Sequence, residues 1–591
     1  MNLTRLLQMS PAEIGTRAQQ ALSKRWGRPP ACRLIQSPSA RGFPDPPPLT
    51  SLAAAEKICQ HRFDLLGYKD LDFGAPIDWH FDPVHHKRAP RKPWHQIPFL
   101  DFNQIGDHKI IWELNRHQHL VTLAQARFRD EILAQWTHWQ SENPYPIGIN
   151  WASTLEVGFR ALSWLWVRHL IGDFHPDLLP ALHLHGWYIE RFLSTYFSPN
   201  THLLGEGVAL FAIGTMCPQI ADAPRWQARG WKIVLQQAET QVRPDGFHFE
   251  QSVYYHIYAL DFFEFARTLA AKNALPIPPS FDSTIKKMSD ALAVLSQAGR
   301  PPNFGDDDGG RVIGSPARPL APSPARPVGG IYTMTSARSQ LFIDAGPQGA
   351  LTGGHGHADA LSIQLITAGR PVLIDPGTFC YVCPERNRFR GTAAHNTLQV
   401  DGRDQAQPNG PFAWTGMPET TVDRWHTGET FDFFAGHHNG YHPVIHHRWV
   451  FGLKNKFWLV RDVVSGAGPR PAAGSQPAFS HHLAIHWHFL HERDGTILPP
   501  TGHTWSRSIE PWDWSPVYGK KDPAFVLRFS TETALPAEFA VLLIPGEAGT
   551  FTQTAPGAYQ YKELHASHEF IFGDRFVYRA TTSAGVTEFS L

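Results

Sequence analysis

The residues whose types could do chemistry together are concentrated between Gly353 and Thr397. Four side chains in this stretch can bind a metal ion or move a proton: His355, His357, Asp375 and His395. Two side chains at positions i and i+2 of an extended chain point to the same side, so the first two histidines are expected to face one cleft. Asp375 follows two short apolar runs that predict a strand hairpin, which would bring its carboxylate beside them.

Two histidines and one aspartate in this pattern indicate a metal site. His357, Asp375 and His395 would give an ion two nitrogen ligands and one oxygen ligand, and would leave one position open for water or substrate. Such ligands suit zinc or manganese better than a soft metal. We therefore predict one divalent metal ion, zinc or manganese, on these three residues. The alternative is that they are scattered polar residues in a chain with 33 histidines.

A second group of candidates lies nearer the N-terminus. Asn200 and His202 stand at the start of a predicted helix; an asparagine after a proline commonly caps a helix, whereas the histidine has no such structural role. Tyr255 lies in a segment rich in tyrosine. Because the ordinary pKa of a phenol is about 10, Tyr255 can act as an acid unaided but as a base only if nearby cations stabilise the phenolate. The acidic run at 306–308 precedes a glycine pair, and we interpret it as a turn or cap.

The elements that must position these residues fall into two halves. Five segments of about twenty residues repeat apolar positions at i, i+3 and i+4, which predicts helices: 121–139, 153–171, 178–197, 225–242 and 252–270. Consecutive antiparallel helices of this length form an α-solenoid or a closed toroid, and the loops at one end form its cleft. From Gly330 onward the apolar runs are short and alternating, which predicts an antiparallel β-sandwich.

The predicted fold class is therefore α+β and multidomain. An N-terminal helix beginning near Ser10 and Pro11 and a proline-rich wrapping segment occupy 1–110, and the helical (α/α) toroid occupies 111–312. A linker rich in Pro, Ser and Arg spans 313–329, and the antiparallel β-sandwich spans 330–591.

Composition excludes several functional classes. The 591 residues include 53 basic and 53 acidic side chains, and this zero net charge argues against nucleic acid or a membrane surface as partner.

The N-terminus lacks the apolar segment of a signal peptide, so we expect a cytoplasmic protein, with a periplasmic or secreted one as the alternative. Five cysteines form no disulfide framework. We interpret Cys380 and Cys383 as packing residues, with redox chemistry as a minor alternative. Composition leaves the oligomeric state open.

Several segments carry a resemblance to a known family. They read NWASTLEVGFRALSWLW, SPNTHLLGEGVALF, FEQSVYYH, GHGHADALSIQL, LIDPGTFCY and AAHNTLQVDGRDQ. The chain resembles the heparinase II/III-type polysaccharide lyases, which include heparin, heparan, chondroitin and oligoalginate lyases. The resemblance implies an (α/α) toroid followed by an antiparallel β-sandwich, with β-elimination at uronic acids and a divalent metal bound in the sandwich.

The resemblance also implies roles for single residues. His202 matches the histidine of the family's Asn-His pair, Tyr255 its catalytic tyrosine and His355 a site histidine, while the three metal candidates match its metal ligands. Tyr381 matches a second tyrosine of alginate-type members. The chain departs from the family at 200–201, where Asn is followed by Thr, so the Asn is not directly before the histidine.

Elimination across C4 and C5 of a uronate needs three things: a neutralised carboxylate, a base for the C5 proton and an acid for the O4 leaving group. We predict a lyase acting on an anionic polysaccharide, a glycosaminoglycan such as heparan sulfate, chondroitin sulfate or hyaluronan, with alginate as a further candidate. The alternatives are a metal-dependent glycoside hydrolase and a non-catalytic polysaccharide-binding protein.

The predicted catalytic residues are His202, Tyr255, His355, Asn200 and Tyr381. The predicted substrate-binding residues are Asn150, Trp151, Glu206, His256 and Arg390.

Overall fold

The computed structural model describes most of the chain. The described residues are 9–37, 40–46, 48–49, 51–314, 323, 325–466, 480–491, 496–544 and 549–591. Within the predicted linker 313–329, residues 315–322 and 324 lie outside this set.

The first half of the described chain is helical. Its α-helices, with one short helix from the second half, are α1 Pro11–Trp26, α2 Leu52–Cys59, α3 Phe102–Ile105, α4 His108–Asn115, α5 Gln118–Gln125, α6 Arg129–Glu142, α7 Thr154–Ile171, α8 Leu178–Arg191, α9 Thr201–Met216, α10 Ala223–Thr240, α11 Val253–Lys272, α12 Pro279–Leu295 and α13 Arg386–Arg390. Single 3₁₀ turns lie at Trp94–Gln96, Ile149–Trp151 and Thr392–Ala394. None of the helices in the described part of the chain has the length and hydrophobicity of a membrane span.

Two helix predictions have opposite outcomes. Helix α1 begins as predicted, because the Ser10 side chain accepts a hydrogen bond from the backbone N–H of Glu13 and Pro11 occupies the first turn. The single helix predicted over 121–139 is wrong. The chain forms α5 and α6 instead, because Arg127 adopts a φ of 66°, in the left-handed region that ends a helix.

Helix α9 lies at the centre of the helical half and packs against α7, α8, α10 and α11. It is apolar on every side and buried along nearly its whole length. Glycines allow α10 to approach its backbone: a Cβ at Gly214 would lie 2.3 Å from the backbone nitrogen of Gln227, and one at Gly230 would lie 2.3 Å from that of Phe211. This close packing fixes the N-terminus of α9, where His202 is found.

The strands of the described chain are β1 Arg62–Leu65, β2 Tyr68–Asp72, β3 Phe81–Asp82, β4 Lys87–Arg88, β5 Ile331–Ser336, β6 Ser339–Asp344, β7 Ile363–Thr367, β8 Arg370–Leu373, β9 Leu398–Val400, β10 Gln407–Pro408, β11 Trp414–Thr415, β12 Thr420–Thr427, β13 Phe431–Tyr441, β14 Val444–Leu453, β15 Phe457–Gly466, β16 His481–Phe489, β17 Thr496–Leu498, β18 Ser506–Trp514, β19 Asp522–Thr533, β20 Ala537–Ile544, β21 Thr550–Ala555, β22 Ala558–Lys562, β23 Ala566–Phe572, β24 Phe576–Thr582 and β25 Gly585–Ser590.

The β half consists of stacked antiparallel sheets. Their strand orders are β5-β6-β7-β8, β12-β13-β14-β15-β20-β17, β18-β19-β16-β9 and β21-β22-β23-β24-β25. The hairpin predicted between β7 and β8 is confirmed, with Ala368 (φ 51°) and Gly369 (φ 77°) in its turn. Inward-facing side chains of the first three sheets share one apolar core. The predicted class, a helical region followed by antiparallel β-sheets, is confirmed.

The wrapping segment before residue 110 contributes to the core of the helical half. Phe43, Phe63 and Trp79 are buried there among side chains of the long helices. The segment also reaches the β half, because the Tyr518 hydroxyl donates to the Asp107 carboxylate over 2.6 Å. Contacts of this kind hold the two halves together beside the candidate site.

Candidate active site

Tyr255 lies in the first turn of α11, at the boundary between the two halves. The Ser252 hydroxyl accepts a hydrogen bond from the Tyr255 backbone N–H (3.1 Å) and donates to the Asp306 carbonyl (2.6 Å), which fixes the start of the helix. The Tyr255 ring lies flat against the imidazole of His355, with ring centres 3.8 Å apart and planes 19° apart. Its hydroxyl lies 2.9 Å from that of Tyr381. Three predicted catalytic side chains therefore meet here.

Tyr381 is held by a short covalent loop. Cys380 and Cys383 form a disulfide on either side of it, which corrects the interpretation of these cysteines as packing residues. The Tyr381 backbone N–H also donates to the Tyr518 hydroxyl over 2.9 Å. Both constraints limit the movement of the phenol.

Asp306 is a carboxylate that several side chains of the site contact, which corrects its interpretation as part of a turn or cap. It accepts hydrogen bonds from Nδ1 of His355 (3.1 Å), Nε2 of His357 (3.1 Å), the Thr378 hydroxyl (3.2 Å) and two guanidinium nitrogens of Arg386 (2.5 and 2.7 Å). Burial alone would raise the Asp306 pKa, but Arg386 and the two histidines hold it well below its usual range. The turn interpretation does hold for the next two residues, which bond the backbone N–H groups of 309 and 310.

A second carboxylate organises the start of α9. Glu250 accepts hydrogen bonds from the Asn200 amide (2.9 Å) and from the backbone N–H (3.0 Å) and hydroxyl of Thr201. Nε2 of His355 lies 3.5 Å from the same carboxylate. Asn200 also caps α9, because its carbonyl accepts from the backbone N–H of His202 over 3.1 Å. His355 thus lies between two carboxylates.

His202 enters the site from the first turn of α9. Burial and, to a smaller extent, the charge of His355 lower its pKa to about 4. The imidazole is therefore neutral at neutral pH and is able to accept a proton. Glu250 links the start of α9 to the site, because it accepts from the Asn200 amide (2.9 Å) and lies 3.5 Å from Nε2 of His355.

Both tyrosines are protonated at neutral pH. Burial raises the pKa of Tyr255 well above 10, and the negative charge of Asp308 adds to the effect. Burial likewise raises the pKa of Tyr381. Each phenol is therefore a proton donor in this arrangement rather than a base.

Buried cations beneath the site were not identified from the sequence. Lys109 pairs with Asp308 (3.1 Å), and Arg116 forms a bidentate pair with Glu156 (2.7 and 2.8 Å). Arg386 places its guanidinium 5.1 Å from the centre of the Tyr381 ring. Each of these cations is paired with a buried carboxylate, Arg386 with Asp306. A pair of this kind gives no local sequence signal because its members lie far apart in the chain.

The three predicted metal ligands lie together, and a fourth residue, Asp359, lies with them. Donor atoms of His357, Asp359, Asp375 and His395 all lie within 4.8 Å of one another, and all four residues are buried. Among the described residues, Nδ1 of His357 and Nε2 of His395 find no hydrogen-bond partner, while Nδ1 of His395 lies 2.9 Å from the Asp375 carboxylate. Unsatisfied buried nitrogens beside two carboxylates fit a divalent ion. Asp359 could have been predicted, since it follows His357 at the i+2 spacing.

His357 connects this cluster to the tyrosines. Its Nδ1 has no hydrogen-bond partner among the described residues, and its Nε2 lies 3.1 Å from Asp306, which in turn bonds His355. A carboxylate on the outer nitrogen of a histidine orients that ring toward a metal.

Two predicted substrate-binding residues are structural instead. The Asn150 amide donates to the Trp79 carbonyl (3.0 Å) and the Asn143 side chain (2.8 Å). The Trp151 indole donates to the Asn143 carbonyl (3.1 Å). Both residues are fully buried, which corrects the prediction that they contact substrate.

The same correction applies to Glu206, His256 and Arg390, all of which are inaccessible to solvent. Glu206 accepts from the backbone N–H and hydroxyl of Ser194 (2.7 and 2.6 Å), and Nε2 of His256 lies 3.0 Å from the Met288 carbonyl. The Arg390 guanidinium donates to the carbonyls of 410 and 411 and packs over an indole. Residue type alone could not separate these buried groups from those lining the site.

Two family models match most of the chain. Residues 49–309 match the Heparinase II/III N-terminus, and residues 318–530 match the Heparinase II/III-like, C-terminal domain. The first match covers the helical half with Tyr255 and Asp306. The second covers the strands and loops that carry His355, Tyr381 and the four candidate metal ligands.

Similar proteins agree with these models. The chain is 25% identical over 565 residues to a heparin-sulfate lyase of Pedobacter heparinus, covering 83% of this chain and 79% of that protein. It is 21% identical over 491 residues to a heparin-sulfate lyase of Bacteroides stercoris, covering 70% and 68%. A crystal structure of heparinase III superposes with a TM-score of 0.69 at 15% identity, covering 98% of this chain and 95% of that one. The fold and the matched regions together establish that this chain belongs to the heparinase II/III-like family.

Proposed function

We propose that this protein is a polysaccharide lyase that cleaves glycosaminoglycans by β-elimination and leaves an unsaturated uronate at the new chain end. The observation that carries the proposal is the contact of Tyr255 with both Tyr381 and His355. Two protonated phenols beside histidines supply the acid and base groups that elimination requires. Family membership and the heparin-sulfate lyase relatives support this reaction over hydrolysis.

The first requirement is to neutralise the uronate carboxylate, so that the C5 proton becomes acidic. We assign this contact to His355, because the neutral imidazole of His202 serves as the base in the second step. The Asn200 amide already donates to Glu250. We therefore assign Asn200 to holding the start of α9, so that the neighbouring imidazole is correctly placed.

The second requirement is proton transfer in two directions. The C5–H bond breaks and its proton passes to a base, the C4–O4 bond breaks, the C4–C5 double bond forms, and an acid protonates O4. The raised pKa of Tyr255 suits the acid, and the lowered pKa of His202 leaves a neutral imidazole to act as the base. Tyr381 is placed to pass a proton back to Tyr255.

We propose that a divalent ion, zinc or manganese, occupies the cluster of His357, Asp359, Asp375 and His395. When bound, the ion adds positive potential near the site and holds separate chain segments together. The role of His357 is then to orient Asp306 through its outer nitrogen. No proton transfer in the reaction needs the ion itself.

We infer that the enzyme works in an oxidising compartment, the periplasm or outside the cell. The Cys380–Cys383 disulfide supports this inference, because disulfides seldom persist in the reducing cytosol.

An absorbance assay tests the proposed reaction. Purified protein is incubated with heparan sulfate, heparin, chondroitin sulfate, hyaluronan and alginate, and the near-ultraviolet absorbance of unsaturated uronate is followed. A rise with at least one glycosaminoglycan is expected, and alginate tests the broader range. New reducing ends without that absorbance would indicate hydrolysis, and binding without cleavage would indicate a carbohydrate-binding protein.

A further inference from the structure

A second cluster of metal-ligand residues lies on the surface of the six-stranded sheet, apart from the buried one. Asp423 on β12, His437 on β13 and His447 on β14 place one donor atom each within 4.8 Å of the others. Asp423 is exposed and the two histidines are half-buried, so an ion could reach all three from solvent.

The strand pairing explains how the three meet. His437 and His447 stand directly opposite each other on β13 and β14, which brings their side chains to one face. On β12 the register shifts: Val422 pairs with Gly436 and Arg424 with Ala435, so that Asp423 is the extra residue of a bulge. A bulge turns one side chain away from the regular alternation. Here it brings the Asp423 carboxylate to 3.0 Å from Nδ1 of His437.

Neighbouring groups hold one ligand in place. Nε2 of His447 lies 3.3 Å from the Ser465 hydroxyl, and its ring stacks on Trp449 with planes 17° apart.

We propose that Asp423, His437 and His447 bind a first-row divalent transition-metal ion such as Zn²⁺. Two imidazoles and one carboxylate are a set that such ions take, with the remaining positions filled by water. The ion would join three adjacent strands and fasten β12, which is the edge strand of its sheet. The proposal does not depend on the lyase function, because this cluster shares no residue with the candidate active site.

Zn²⁺ titration of the metal-free protein tests the proposal. Calorimetry should show two classes of site per wild-type chain, the weaker one at the surface cluster. His437→Ala should lose the weaker class, or weaken it at least about tenfold. Asp423→Asn, at an exposed position, should weaken it without affecting the fold. His426→Ala provides the matched control, because His426 is a half-buried histidine of β12 outside the cluster and should leave both classes unchanged.

The buried cluster must be distinguished from the surface one. In the His357→Ala variant only the weaker, surface class of site should remain. Adding His437→Ala to that variant should abolish the rise in Tm that Zn²⁺ causes. Retention of the weaker class in both His437→Ala and Asp423→Asn would overturn the proposal. A wild-type chain that binds a single Zn²⁺, lost in His357→Ala, would overturn it as well.

Discussion

The phenol oxygens of Tyr255 and Tyr381 lie 2.9 Å apart, although 126 positions separate the two residues in the chain. Tyr255 belongs to helix α11, and Tyr381 to a disulfide loop between strands of the β half. The site therefore exists only when both halves of the molecule are assembled. Asp306 strengthens this arrangement, because it follows the helical half and bonds His355 and Arg386 of the β half.

The Cys380–Cys383 disulfide should be needed to hold Tyr381 against Tyr255. We expect Cys380→Ser with Cys383→Ser to reduce kcat by roughly tenfold to a hundredfold, since small displacements of catalytic groups are costly. Steady-state kinetics with and without a dithiol reductant provide the measurement. The reductant should slow the wild type and leave the double variant unchanged. Cys59→Ser, at a free cysteine, is the control. Equal activity of oxidised and reduced wild type would show that the disulfide has no such role.

The ion pair between Asp306 and Arg386 should contribute strongly to stability. Arg386→Met leaves a buried carboxylate without its cation, which should lower the free energy of unfolding by about 3–5 kcal/mol. Arg388→Met is the matched control: Arg388 pairs with Asp513 at the surface, and its loss should cost less than about 1 kcal/mol. Urea unfolding measures both. Adding Asp306→Asn to Arg386→Met should recover part of the loss, and equal costs for the two arginine variants would contradict the buried pair.

Asp359 should be a metal ligand alongside the three residues predicted from the sequence. We expect His357→Ala to remove the tightly bound ion of this cluster and to lower the Tm, because the ion joins separate segments. Asp359→Asn should weaken metal affinity at least about tenfold. Elemental analysis of freshly purified protein gives the metal content, and calorimetry gives the affinity. Full metal content and affinity in Asp359→Asn would remove Asp359 from the ligand set.

Glu206 should make the protein less stable as the pH rises. Burial raises its pKa from 4.5 to about 8, although its hydrogen bonds to Ser194 oppose the shift. The folded state therefore favours the neutral acid, so its contribution to stability is complete below about pH 4.5 and is lost as the pH rises through 8. At about 1.4 kcal/mol per pKa unit, the loss amounts to a few kcal/mol. Glu206→Gln should flatten this dependence in urea unfolding at pH 5 and pH 9, and an unchanged slope would contradict the shift.

The sequence predicts the fold class and part of the site for clear physical reasons. Helical and strand periodicities are local, so α11 and the β7–β8 hairpin could be placed from short segments. The spacing of His355 and His357 was also informative, and both histidines meet Asp306 in the structure. Such features depend on neighbours in the chain.

Features that depend on distant partners could not be predicted in this way. The run at 306–308 has the composition of a turn, and only the approach of Arg386 and two histidines distinguishes Asp306 from its neighbours. Conversely, Asn150 and Glu206 have residue types suited to a binding site, yet their hydrogen bonds are made in the interior. Burial of a polar group depends on tertiary packing, which residue type does not reveal.

The turnover of Tyr255→Phe tests the central claim most directly. The substitution removes one hydroxyl and keeps the ring stacked on His355, so circular dichroism and Tm should match the wild type. The rate of unsaturated uronate formation from heparan sulfate should fall roughly a hundredfold or more, as expected for a general acid or base. Tyr381→Phe should reduce the rate selectively among substrates. Near-normal turnover in Tyr255→Phe, with Tyr381→Phe inactive, would contradict the assignment of Tyr255 as the proton donor.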